Sequence, residues 1–283
     1  NMGPCLCFPS QAQFHPLKYM TALAAAIEQR GGRIFSGTHV TKVDGGTKGL
    51  VQTRGPSVHA DNVVVATNSP VNDLVAIHTK QAAYRSYVIG ARIPRSSVTR
   101  ALYWDTEHPY HYLRIHRHDV QDKDLLLIGG EDHKTGQDHD STKRFERLEE
   151  WARARFPLIE GIDHRWSGQV MESIDGLAYI GANPMDAPNV FVATGDCGMG
   201  MTHGTIAGIL LTELILGHDH PWKPLYEPSR ITARAIGDFT RETLNFGAQY
   251  ADWLIPSDTA SLEGIARGSG AVQRRGLSRV AVY

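Results

Sequence analysis

NVFVATGDCGMGMTHGTIAGILLTELILG, Asn189–Gly217, runs through a strand, a glycine-rich turn and a long apolar helix in succession. Asn189–Thr194 is short and mostly apolar (Val190, Phe191, Val192, Ala193), the pattern of a strand buried in a parallel sheet. Gly195, Gly198, Gly200 and Gly204 follow closely. Each glycine lets the backbone take φ > 0 or lets a ligand come close to the chain. From Thr205 to Leu216 the only interruptions are Gly208, Thr212 and Glu213, and Gly217 supplies a stop. A strand feeding through glycines into a helix N-terminus presents free N–H groups at the positive end of a dipole. Such a place suits a phosphate, a carboxylate or an electron-rich carbonyl. A tight turn between packed elements gives the same local pattern.

Outward from this stretch, Asn62–Asn68 (NVVVATN) is a second continuous apolar run, as expected for a strand buried on both faces. Val63–Thr67 and Val190–Thr194 are expected to share one domain. Upstream, Pro16 sits where a first helical turn accepts it, and Leu17, Met20, Leu23, Ala24 and Ile27 form one apolar face before Gly31-Gly32. Arg33–Ser36, Thr38–Asp44, Leu50–Thr53 and Ser57–Ala60 read as strands. Between the two buried runs, Tyr84–Arg92, Ala101–Trp104, Tyr110–His116, Leu125–Gly129, Trp166–Met171 and Leu177–Gly181 are strand-like, and Ser141–Phe156 reads as an amphipathic helix. That row suits an antiparallel sheet with one face toward a pocket. Downstream lie a helix from about Arg230 to Leu244, a linker at Ile255–Ser269 and a strand pattern in Gly270–Tyr283.

The chain has 283 residues, 41% hydrophobic and 21% charged, with a formal net charge of −1. It can bury a substantial core. Nothing in the charge favours nucleic acid or an anionic membrane surface. No run approaches the ~18–20 apolar residues needed to span a bilayer. Cys5, Cys7 and Cys197 do not make a disulfide framework, and Cys5-x-Cys7 has no partner pair at zinc-site spacing. A cytoplasmic setting, with no metal site, is expected.

ATGDCGMGMTHGTIAGILLTELILG resembles the C-terminal flavin-contacting segment of the D-amino-acid oxidase-like FAD-dependent oxidoreductases, the superfamily of the glycine and sarcosine oxidases. The Met-Thr-His-Gly-Thr wording is closest to bacterial members fused to a Rieske-type [2Fe–2S] domain. The resemblance runs from about Phe8 to Tyr283. It implies an α/β (α+β) fold, in which a split FAD-binding domain with parallel strands carries an inserted antiparallel-sheet substrate domain. The expected division is the middle of the FAD domain at 1–70, the substrate domain at 71–182, and the C-terminal part of the FAD domain with a helical extension at 183–254. A linker and the start of a Rieske-like domain, truncated in this sequence, would then occupy 255–283. The family's G-x-G-x-x-G unit is not in the sequence, nor are the Rieske Cys-x-His and Cys-x-x-His ligands. The expectation is a piece of a longer protein, without an iron–sulfur cluster, that binds FAD weakly and is inactive alone. The rival is a non-catalytic substrate-recognition or interaction domain unable to retain FAD.

The resemblance places noncovalent FAD against Val40, Ala66, Thr67, Gly195, Gly198, Met199, Gly200, Met201 and Thr202. Monomeric sarcosine oxidases tether flavin through a cysteine, and the matching position here is Gly168. His203 is a candidate to assist charge stabilisation at the flavin edge, although a helix-start histidine bonded to backbone fits as well. Lys134 resembles the lysine that assists oxygen chemistry in sarcosine oxidases, and equally suits a solvated turn. His15 faces either the pocket or its own helix as a cap. Arg85, Arg92 and Arg114 are alternative clamps for a substrate carboxylate. The implied substrate is a small amine or amino acid, with electrons leaving to oxygen or to a fused iron–sulfur domain.

Overall fold

A computed structural model describes residues 4–72, 77–117, 122–137 and 140–230, and the backbone of two strands at 271–275 and 278–282. In chain order the elements are α1 (Pro16–Gln29), β1 (Val40–Asp44), β2 (Gly49–Thr53), β3 (Val58–Ala60), β4 (Val63–Val65), β5 (Gln81–Pro94), β6 (Leu102–Trp104), β7 (His111–Arg117) and β8 (Lys123–Lys134). They continue with α2 (Ser141–Arg155), β9 (Gly161–Ser173), β10 (Tyr179–Ala182), β11 (Val190–Thr194), α3 (Gly200–Ile215), α4 (Lys223–Tyr226), β12 (Ala271–Arg275) and β13 (Ser278–Val282).

The two buried runs pair directly. β11 lies parallel to β4, with Val190 opposite Val63 and Val192 opposite Val65, and β10 lies antiparallel on the other side of β11. Alternation along the strands serves two layers. Val63, Val65 and Val190 pack on Val43, Val51 and Ala60 of the antiparallel β1–β2–β3 sheet. Phe191 points the other way, into a cluster with Ile180, Ala207, Leu210, Leu211 and Tyr226 that seats α3. The Asn189 side chain fixes the entry: its Nδ2 donates to the Asp61 carbonyl at 2.9 Å and its Oδ1 accepts from Gly46 N at 3.0 Å.

The residues between the paired runs form a five-stranded antiparallel sheet in the order β6-β7-β8-β5-β9. Tyr87, Ile89, Ala91 and Ile93 of β5, with Leu113, Ile115, Leu126 and Ile128, face Leu148 and Ala152 of α2. The alternate residues of the sheet line the face opposite α2. There the Tyr112 ring lies over Gly129, where an added Cβ would stand 2.1 Å from Tyr112 Cζ.

The structure departs from the sequence reading in places. Arg33–Ser36 has no strand pairing. The α1 apolar face exists but is uncovered: none of its residues is buried, and Leu17 and Leu23 are 72% and 42% exposed. α3 does begin within the expected start at Met199–His203, at Gly200, where His203 N donates to Met199 O at 2.9 Å. β10 joins β11, so the five-stranded sheet ends at Ser173. The helix expected from Arg230 and the linker after it lie outside the described residues.

Candidate cofactor site

Thr194 ends β11, and the next residues reverse the chain. Gly195, Cys197 and Gly198 take φ of 69°, 50° and 76°, a left-handed series that glycine accepts at no steric cost and cysteine adopts under strain. Cys197 is held there by Ser173, whose backbone N–H and hydroxyl both lie 3.3 Å from its Sγ. The turn delivers the α3 N-terminus. Met199 is its N-cap and offers no capping side chain, so the first-turn N–H groups keep their donor capacity.

Beside this terminus is a cavity of about 540 Å³. Its walls are Val64, Ala66 and Asn68 at the end of β4, Thr194 and Asp196 at the end of β11, and Gly200, His203, Gly204 and Gly208 along α3. A Cβ added at Gly204 or Gly208 would meet nothing within 4 Å, so packing does not demand glycine at either position; their bareness keeps this wall open. Asn68, at φ 63°, ties the site to both sheets. Its carbonyl accepts from the Thr194 hydroxyl, and its Nδ2 donates to Gln169 O of β9 at 3.3 Å.

The His203 side chain is 7% exposed, and its Nδ1 lies 3.0 Å from the Asp196 carbonyl. A carbonyl only accepts, so Nδ1 carries a proton and donates, and Nε2 is the ring nitrogen not engaged by it. The ring meets Tyr226 edge-on with centroids 6.0 Å apart. His203 thus bonds the backbone and lines the cavity at once.

Of the residues expected around a cofactor, Ala66, Gly200 and His203 line the cavity. Gly195 and Gly198 shape the turn, while Met199, Met201 and Thr202 form the start of α3. Thr67 turns its hydroxyl to Ser69 O at 2.7 Å, and Val40 begins β1 opposite Thr53. His15 caps α1, accepting from Lys18 N at 3.4 Å. Lys134 pairs with Tyr84 at the end of β8. Arg92 is paired with Glu160 and Asp163, Arg85 donates to Ser167 Oγ, and Arg114 donates to Phe14 O. At Gly168 an added Cβ meets nothing within 4 Å, so the position has room for a side chain.

Sequence reasoning passed over Asp196, although it stands inside the quoted turn. It also passed over a polar cluster of Tyr110, Tyr112, Asp132 and Glu172 on the five-stranded sheet. Burial raises the Asp132 pKa, against the Ser86 and Tyr110 hydroxyls, which lower it. Burial and the Asp132 charge raise that of Glu172. Tyr110 is pushed up by burial and then by Asp132, and Tyr112 by burial against Ser86. Asp105, Glu107 and His111 also bring ligand-type atoms within 4.8 Å of one another. Glu107 there is held by Arg155 at 2.7 Å and by the Trp151 indole at 3.2 Å, and His111 Nδ1 by Asp105 at 2.8 Å.

A parallel strand pair, a glycine turn and an uncapped helix N-terminus meet at a cavity, with an antiparallel sheet inserted between the paired strands, in a mixed α/β architecture. The profile of the FAD-dependent oxidoreductases of the D-amino-acid oxidase type matches residues 3–214, and the chain belongs to that family. It is 29% identical over 252 residues to the putative Rieske 2Fe-2S iron–sulfur protein YhfW of Bacillus subtilis, covering 88% of this chain and 48% of that protein. It is 28% identical over 218 residues to the gamma-glutamylputrescine oxidoreductase of Escherichia coli, covering 74% and 49%. Among solved structures, glycine oxidase from Geobacillus kaustophilus aligns at TM-score 0.62 and 20% identity, covering 75% of this chain and 57% of that one. L-proline dehydrogenase from P. horikoshii aligns at TM-score 0.63 and 19% identity, covering 76% and 59%. The chain spans about half the length of the curated relatives it matches. No described helix is long and apolar enough to cross a membrane.

Proposed function

We propose that this chain carries the flavin edge and the substrate face of an FAD-dependent oxidoreductase that oxidises a C–N bond of a small amine or amino acid. The observation that carries the reading is the β11 turn, which brings the uncapped N-terminus of α3 to the cavity. Bound FAD supplies a two-electron acceptor for a hydride leaving the substrate carbon. The residues that would hold it are Ala66, Thr67, Gly195, Gly198 and Met199–Thr202, with Val40 farther out. The first-turn N–H groups of α3 favour negative charge at the flavin edge without reorganising. His203 has its Nδ1 committed to Asp196 O, which leaves Nε2 as the ring nitrogen free to meet a ligand. Gly168 at the tether position supports noncovalent attachment. Lys134 and His15 remain the candidates for proton and oxygen chemistry on the substrate side.

The face opposite α2 would take the substrate, with 71–182 as the substrate domain except for β10, which pairs with β11, and 1–70 and 183–254 as the FAD domain. The names of the E. coli relative and of the two structural neighbours support an amine or amino-acid substrate. The B. subtilis relative supports a fused iron–sulfur domain as electron acceptor, with oxygen the alternative. The chain alone should be inactive, so the test is a panel of amines and amino acids added without oxygen to the FAD-loaded longer protein of which this sequence is expected to be a piece. At least one should bleach the flavin near-completely, and acid precipitation should release all flavin to the supernatant. A panel with no bleaching removes the proposed reaction, and flavin retained in the pellet removes the noncovalent attachment.

A further inference from the structure

Asp196 is, among the described residues, the one carboxylate on the cavity wall. Among the described residues its carboxylate takes part in no hydrogen bond or ion pair; its partners, Met199 N and His203 Nδ1, bind its backbone carbonyl instead. It stands four residues before Gly200, and a Cβ built on Gly200 would fall 2.8 Å from its Oδ2. The carboxylate therefore fills the space that any larger residue at 200 would claim, at the uncapped N-terminus of the helix that lines the cavity. Acceptor and donors side by side suit a ligand edge that carries a polar hydrogen next to a carbonyl oxygen. They also oppose one another electrostatically. The α3 terminus favours negative charge on whatever it touches, and a carboxylate a few ångströms away disfavours it.

We propose that Asp196 is a positioning residue for the flavin, accepting a hydrogen bond from it and, by its charge, holding its reduction potential down. The inference rests on the FAD reading given above. Electron uptake adds negative charge to the bound group, and the fixed carboxylate makes that uptake less favourable. The turn would then set the potential by the balance between the α3 N-terminus, which raises it, and Asp196, which lowers it.

The test is the midpoint potential of the FAD-loaded protein, together with flavin affinity, in wild type, Asp196→Asn and Asp196→Ala. Both variants should have a more positive potential. Asp196→Ala, losing a charge-assisted bond, should also bind flavin about tenfold to a hundredfold more weakly. Gly200→Ala provides a second variant. It keeps the charge but displaces the carboxylate, in a backbone already helical, and should shift the potential in the same direction by a smaller amount. It serves also if the Asn variant fails to retain flavin. A potential that is unchanged or more negative overturns the proposal, even with weaker binding, because a merely structural carboxylate predicts that pattern. All of these are made in the longer protein of which this sequence is expected to be a piece, and a wild-type form of it that takes up no flavin overturns the FAD reading itself.

Discussion

Single residues set the local electrostatics of this chain, and two of them respond to pH in opposite senses. Arg230 donates to both oxygens of Asp175, at 2.7 and 2.8 Å, and to the carbonyls of Leu177 and Ala178. Both side chains are under 10% exposed, at 8% and 6%. Burial pushes the Asp175 pKa up, but Arg230, the Leu177 N–H and the Ser173 hydroxyl outweigh it, and the net shift is downward. A depressed carboxylate pKa adds stability above its unfolded value of about 3.9, and that stability fades as pH falls toward the folded value. Arg230→Met should cost roughly 3–5 kcal/mol at pH 7, because it strands a buried charge. In urea titrations the gap to wild type should narrow as pH drops from 5 toward 2.5; a constant gap would speak against the pair as the source.

Glu172 behaves conversely. Its raised pKa means that ionisation at neutral pH works against the fold. Glu172→Gln should therefore have the higher denaturation midpoint at pH 7. The advantage should vanish as pH falls through the folded pKa, where the wild-type side chain is protonated too. Equal midpoints at pH 7 would contradict burial and Asp132 repulsion as the forces acting on Glu172.

At the scale of elements, two helices of similar length contrast. Leu148 and Ala152 of α2 are fully buried against the five-stranded sheet, whereas α1 buries nothing. Leu148→Ala should cost about 2–5 kcal/mol from lost transfer energy and a cavity. Leu23→Ala in α1 should fall within about 0.5 kcal/mol of wild type. Paired chemical denaturation curves would check both, and a large loss at Leu23 would show that α1 is covered in solution. This contrast also marks what the sequence could show. Periodicity located the apolar face of α1, since amphipathicity is a local property. It could not say whether anything lies against that face, which depends on distant chain. The β11–turn–α3 unit was legible because strand, glycines and helix are all local signals. Its helix start was legible too, because the turn glycines lead into the Met199–His203 stretch, and the Met199 carbonyl there accepts from His203 N. In the cavity, Ala66 and Gly200 were reachable from their motifs. Asp196 was missed because an acidic residue beside glycines reads as turn chemistry, and only the folded turn shows its carboxylate on the cavity wall.

Across the whole molecule, the parallel pairing of β4 and β11 joins segments that the sequence holds far apart. The Thr194 hydroxyl reaches an Asn68 carbonyl 126 residues away, with the entire five-stranded sheet strung between them. That arrangement has a temporal consequence. The β6–β7 and β7–β8 hairpins close short loops on which the rest of the sheet can grow, whereas the β4–β11 ladder closes a loop whose entropy cost is large until the intervening chain has compacted. The inserted sheet should form first and bring the two ends together, so the cavity would be assembled last. Pulsed hydrogen exchange during refolding would time this: amides of Tyr87–Ile93 and Leu125–Ile128 should gain protection before those of Val63–Val65 and Val190–Thr194. Simultaneous protection would mean that the ladder forms with the sheet. Under the expected order, a mutation that slows the sheet delays every residue of the cofactor site, though it touches none of them.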